Sequence, residues 1–123
     1  MVALRVAGVE YPLVMTVGAM DVLAQMGQTL DTLVDYISPA KHPYNDAVEH
    51  GLEVLEVFAQ AGAERRRLRD GADASAPDFG IVRQDLTPAE VLGLCDAAIV
   101  EGITRRVEAD HEKNGDGVEG GSR

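Results

Sequence analysis

Tryptophan is absent from this chain of 123 residues, and two Phe and three Tyr are its only aromatics. The core therefore has to be built from Leu, Val, Ile, Met and Ala, a composition that leans helical. A single cysteine excludes an internal disulfide, and no Cys or His spacing suits structural zinc, so a reducing cytoplasm is expected. Positive charge is scarce: 11 Lys and Arg stand against 21 Asp and Glu, for a net charge of −10 and a pI near 4.6. Phosphate backbones and anionic membranes both require a basic surface, so neither nucleic acid nor membrane is an expected partner. Long apolar runs are missing too, because Gly8, Glu10 and Pro12 break MVALRVAGVEYPLVMT short of signal-peptide or membrane length. No nucleophile motif, phosphate loop or dinucleotide fingerprint occurs, and no catalytic residue, cofactor or metal site is predicted.

What is present is enough apolar side chain, 46% of residues, to exclude a wholly disordered chain, at a length suited to one core. Val2, Leu4 and Val6 alternate with Ala3, Arg5 and Ala7, and Tyr11, Leu13 and Met15 form a second set of period two. This predicts a hairpin turning at Gly8-Val9, with Pro12 on its open edge because proline has no N–H to give. Thr16 is placed to cap a short helix carrying Val17, Met20, Leu23 and Ala24 on one face, with Gly27 at its end. Thr29 is placed to cap a second, with Leu30, Leu33, Val34 and Ile37 on its apolar stripe, ending at Ser38-Pro39. A third helix is expected from about Asn45 to about Arg69, with Val48, Leu52, Leu55, Phe58 and Ala59 buried and Glu49, Glu53, Glu56 and Gln60 opposite. Residues 72–85 lack a period and read as a loop from which Phe79, Ile81 and Val82 dock on the core. In LTPAEV, Thr87 reads as an N-cap, Pro88 as the first helical residue, Glu90 as the returning half of a capping box, and Leu86 as a staple onto Val91. That last helix carries Val91, Leu94, Cys95, Ala98, Ile99, Gly102 and Ile103 and is expected to reach about His111. The predicted fold is α+β and mostly α-helical: one domain over residues 1–112 with an N-terminal hairpin and about four helices, then a disordered acidic, Gly-rich tail over 113–123.

Charge is distributed unevenly along the chain. Through Glu64 there are nine acidic and two basic residues, and from Ala72 onward eleven acidic and five basic, while Arg65, Arg66, Arg67 and Arg69 gather between them at the end of the third helix. Cations at a helix C-terminus complement its dipole, and the same cluster is a candidate dock for an acidic partner. Residues 110–121, DHEKNGDGVEGG, imitate the first half of a calcium loop but place Gly121 where a bidentate Glu is needed. His42, His50 and His111 fall in three different elements, and Cys95 lies on an apolar stripe, the usual place of an inert thiol.

Three segments, LRVAGVEYPLVMTVGAMDVL, GLEVLEVFAQAGAERRR and DLTPAEVLGLCDAAIVEGITRRVEA, resemble in their order and spacing the tail assembly chaperones of long-tailed bacteriophages and Gram-positive prophages, over most of residues 2–109. The resemblance implies a non-enzymatic factor of the host cytoplasm, absent from the mature virion. Such a factor binds the tape measure protein, keeps it soluble and helps recruit the major tail tube protein. It also implies a longer frameshifted form in many members, and codons for Glu112-Lys113-Asn114 are compatible with a slippery A-rich heptamer.

Candidate protein-binding residues follow from physical features instead. Leu52, Leu55 and Phe58 are offered as a groove wall, with internal core as the equal alternative. Arg65, Arg66, Arg67 and Arg69 are offered as the acidic-partner dock, and the strand at Leu4 to Val6 as an edge for a client or a second copy of the chain. Two rival readings remain: a small acidic regulatory or antitoxin-like module, and an enzyme using Glu49, Glu53 or His50 if that helix face lines a pocket.

Overall fold

A computed structural model describes the backbone of residues 1–118 and the side chains of residues 1–105. Along the chain run β1 (Ala3–Val6), β2 (Val9–Pro12), α1 (Val17–Gln25), α2 (Leu30–Tyr36), α3 (Tyr44–Asp70), α4 (Phe79–Asp85) and α5 (Pro88–Val118). This is the expected mostly helical α+β arrangement.

The two strands pair antiparallel, Val6 with Val9, Arg5 with Glu10, Leu4 with Tyr11 and Ala3 with Pro12. The turn is therefore Ala7-Gly8 and not Gly8-Val9. Both residues have positive φ, 51° and 79°, as a two-residue type I′ turn requires, although alanine gives no sequence sign of it. Pro12 falls at a non-hydrogen-bonded position, so its missing N–H would have pointed outward. That outer side is covered rather than open: the Pro12 carbonyl lies against Gly62 of α3, and the Val14 N–H donates to the Phe58 carbonyl at 3.3 Å. After Pro12 the alternation ends, and Leu13 and Val14 are both buried as the chain passes along α3.

α3 is the central element. Its buried residues include Ala47, Gly51, Leu52, Val54, Leu55, Val57, Phe58, Ala59, Gly62 and Ala63, more than one stripe, because the hairpin, α1, α2 and α5 all pack on it. The four polar positions Glu49, Glu53, Glu56 and Gln60 remain on the exposed side as expected. Gly71 closes the helix with φ 64° and its N–H on the Arg67 carbonyl. α5 crosses α3 where the Cys95 thiol donates to the Gly51 carbonyl at 3.2 Å.

The caps follow the sequence closely. Thr16 Oγ1 accepts the Ala19 N–H at 3.1 Å, while the Thr29 N–H is taken by Thr32 Oγ1 at 2.9 Å. At α5 the box is complete, with the Glu90 N–H donating to Thr87 Oγ1 at 3.2 Å and the Thr87 N–H to Glu90 Oε1 at 2.9 Å. Several faces and boundaries differ from expectation. On α1 the buried residues are Ala19 and Leu23, whereas Val17 and Ala24 are exposed; on α2 Val34 faces solvent, and on α5 Ile103 does. Residues 79–85, expected within a loop, form α4, because Asp78 accepts the Gly80 N–H at 2.8 Å and Val82 reaches the core; Ile81 stays exposed. α5 continues past His111 to Val118 through a stretch without proline, and the remaining tail positions, 119–123, lie outside the described residues.

Candidate functional site

The main concavity lies where α1 and α5 flank the C-terminal half of α3. It encloses about 810 Å³, and its floor and walls are formed chiefly by Met15, Val17, Val22, Val57, Ala61 and Leu68. Three of these apolar side chains are unusually exposed, Val17 by 80%, Leu68 by 77% and Val22 by 44%. Large exposed aliphatics scattered singly are ordinary, but here they converge on one groove, which is how a helix-binding surface is built. Met15 forms the deep end by pressing on α5 at Gly102, where a Cβ would lie 2.8 Å from its Cε. Val17 is the first residue of α1, directly after the Thr16 cap, and lines the groove.

The rim is basic. Arg65 and Arg69 of α3 and Arg105 of α5 line this groove, and all three also line a second concavity of about 390 Å³ behind it, shared with Arg66, Pro12 and Gly62. Burial, then the nearby charges of Arg69 and Arg105, push the Arg65 pKa downward against an opposing effect of Glu101. Two of the acidic neighbours have partners, Glu64 pairing with Arg67 and Glu101 taking the Met1 amino group at 3.3 Å and the Val2 N–H at 3.4 Å, while Asp70 lines the second concavity.

The residues singled out from sequence divide sharply. Leu4, Val6, Leu52, Leu55 and Phe58 are all core, Leu55, Phe58 and Leu4 with no exposed surface at all, so they form no groove wall and offer no side chain to a partner. Their burial follows from the number of elements packed around α3 and from the turn register that points Leu4 and Val6 inward. Of the arginines, Arg65 and Arg69 lie on the groove, Arg66 behind it, and Arg67 is turned away into contacts with Glu64 and the Ala74 carbonyl. The true groove residues Val17, Val22 and Leu68 sit at positions where periodicity suggests core or gives no signal. Leu68 alone, an aliphatic between Arg67 and Arg69, was a visible clue.

The outer side of α3 and α2 carries a cluster of polar side chains. His42 and His50 do meet, ring centroids 5.0 Å apart, and Tyr36 stacks on His50 at 3.9 Å. His50 Nδ1 lies 2.7 Å from the Tyr36 carbonyl, which can only accept, so Nδ1 carries the hydrogen. The Tyr36 hydroxyl donates to Glu53, and burial followed by that carboxylate pushes its pKa up to about 12. Glu49 is held below the usual carboxylate range by its hydrogen bonds from Arg83. These protons are held by fixed partners, and the cluster is open to water on the outer side of α3 and α2. Among the described residues no three His, Cys, Asp or Glu side chains converge as metal ligands. No described helix is long and apolar enough to cross a membrane. Compared with family models, with curated proteins and with solved structures, the chain gives no match in any of the three.

Proposed function

We propose that this chain is a non-enzymatic holding protein that shelters an amphipathic helix of a client, and that it serves as a tail assembly chaperone for a tape measure protein. The observation that carries the first half is the groove in which Val17, Val22 and Leu68 are held exposed around a floor of Met15, Val57 and Ala61. A client helix laid there would bury aliphatic surface on both partners, at about 25 cal/mol for each Å² removed from water. The chain's net charge of −10 keeps such a complex dispersed. The second half rests on the sequence resemblance carried by the hairpin, the Arg-tipped helix and the LTPAEV start. It adds delivery of the major tail tube protein in the host cytoplasm and absence from the mature virion.

Co-expression with a tape measure protein as client tests both halves. The client should be insoluble alone and soluble with the unaltered chain, and Val17→Asp or Leu68→Asp should abolish the rescue without lowering the melting temperature, since both side chains already face water. A client that stays insoluble with the unaltered chain removes the chaperone reading.

A further inference from the structure

We infer that the groove selects an amphipathic helix flanked by carboxylates, and that Arg65 and Arg69 recognise those carboxylates. The inference rests on the groove being a client site and adds the chemistry of the client. In a chain of net charge −10, the rim of its main apolar groove carries Arg65, Arg69 and Arg105, with Arg66 just behind. Among the described residues, no carboxylate lies within ion-pairing distance of these four guanidinium groups. Of the nearby carboxylates, Glu64, Glu101 and Glu10 are engaged by Arg67, the Met1 amino group and Arg5, and Asp70, which lines the second concavity with Arg66 and Arg69, makes no ion pair with them.

Among the described residues the basic rim is thus a cluster of guanidinium groups without an ion-pair partner at the edge of an apolar surface, with Glu101 only partly offsetting its charge. A bound carboxylate relieves that crowding, and guanidinium groups receive carboxylates through paired, directional hydrogen bonds. Geometry sets the spacing. Arg65 and Arg69 are four residues apart on α3, about 6 Å along the axis at 1.5 Å per residue, which equals the rise between positions i and i+4 of a client helix. The occupant is therefore a helix with Leu-like residues at i, i+3, i+4 and i+7 and two Asp or Glu at i, i+4 along one border. A nucleic acid would satisfy the arginines but has no apolar face for Val17, Val22 and Leu68, and it would meet the acidic remainder of the surface.

Two labelled peptides of about 18 residues, long enough to be helical when bound, make the test. Both carry the same apolar stripe; one has Glu and the other Lys at the two flanking positions. Fluorescence anisotropy against the full chain should show the Glu peptide binding about tenfold or more tighter, with the preference shrinking as salt is raised. Arg65→Gln with Arg69→Gln should erase the preference, and Arg65→Glu with Arg69→Glu should reverse it. Equal binding of both peptides to the unaltered chain overturns the charge inference and leaves the groove as a helix site. Failure of both to bind overturns the groove reading as well. A dimer of the free chain that Leu68→Asp disperses would assign the groove to a second copy and overturn the inference too.

Discussion

At Gly62 the fold allows no other residue. A Cβ built there would stand 2.1 Å from the Pro12 carbonyl oxygen, which is backbone and has no rotamer to yield. Gly62→Ala should force the hairpin off α3 and destabilise the protein by about 3 kcal/mol, the upper part of the range for overpacking. Gly93 is the internal contrast. It lies exposed in α5 with nothing within 4 Å of a Cβ, so Gly93→Ala should stabilise by about 0.5 to 1 kcal/mol through helix propensity alone. Urea titrations of the two variants should move in opposite directions, and equal shifts would contradict the close approach. Cys95 gives a pH test. Burial first, then the charge of Asp96, raises its pKa from the ordinary value of 9.0 to about 12. Between those values the unfolded chain releases the thiol proton while the folded chain keeps it. Stability is therefore full below pH 9 and falls as pH rises toward 12, with a slope of at most about 1.4 kcal/mol per pH unit from this group. Tyr36, raised in the same direction, adds a smaller part in the same window because it is only partly shielded. Cys95→Ala should flatten the alkaline slope, and the native thiol should resist alkylation at pH 8; rapid labelling of the folded protein would contradict its burial.

At the scale of elements, the hairpin turn shows how far the sequence could be read. The alternation of Val2, Leu4 and Val6 announced β1, but the turn fell one residue earlier than glycine's usual place suggests. Ala7 adopts φ 51°, a conformation that costs an L-residue about 1 kcal/mol, while the Ala7 N–H donates to Asp85 at the end of α4. Ala7→Asn, which tolerates the left-handed region, should therefore raise stability by about 1 kcal/mol while leaving that backbone hydrogen bond in place. An unchanged or lowered denaturation midpoint would mean that the turn differs in solution. Other elements were legible for definite reasons. Thr16 and Thr87 with Glu90 are terminal signals whose hydrogen bonds are local, and each lies where the spacing predicts it. α4 was not legible, because seven residues are too few to establish a period and Gly80 near its start reads as a turn. Faces are not legible where tertiary packing chooses among several aliphatics: Val17 and Val34 continue apolar stripes in sequence, yet both are exposed among the described residues. The same limit explains why Leu52, Leu55 and Phe58 read equally as a groove wall or as core. Periodicity identifies an apolar face, but it does not say whether the element packed on that face is internal or foreign.

For the whole molecule, the packing of α3 leaves its two ends in different conditions. Toward its N-terminal half, α2 and α5 close around it, and Arg83 of α4 reaches Glu49, so polar groups there have partners within the chain. Toward its C-terminal end Leu68 is exposed, and Arg65 is disfavoured as a cation first by burial and then by Arg69 and Arg105, against an opposing effect of Glu101. Partial burial and like charge together disfavour the Arg65 cation in the free protein, which gives a prediction linking stability to binding. Arg65→Gln removes one of three neighbouring positive charges without creating a cavity, because the side chain is only partly buried. The variant should be as stable as the unaltered chain or more so, by about 0.5 kcal/mol after screening by solvent. Its affinity for an acidic amphipathic helix should fall, and the loss should be largest at low salt. Leu55→Ala supplies the opposite signature, a loss of about 2 to 5 kcal/mol in stability from a cavity in the core and no direct effect on the groove. Melting curves and peptide titrations on the two variants separate these behaviours. If Arg65→Gln weakened folding and binding together, Arg65 would be a structural residue of the α3–α5 packing and the rim would lose its role in recognition. If it spared folding and weakened only the acidic peptide, the basic rim would be the part of the surface that the fold leaves for its partner.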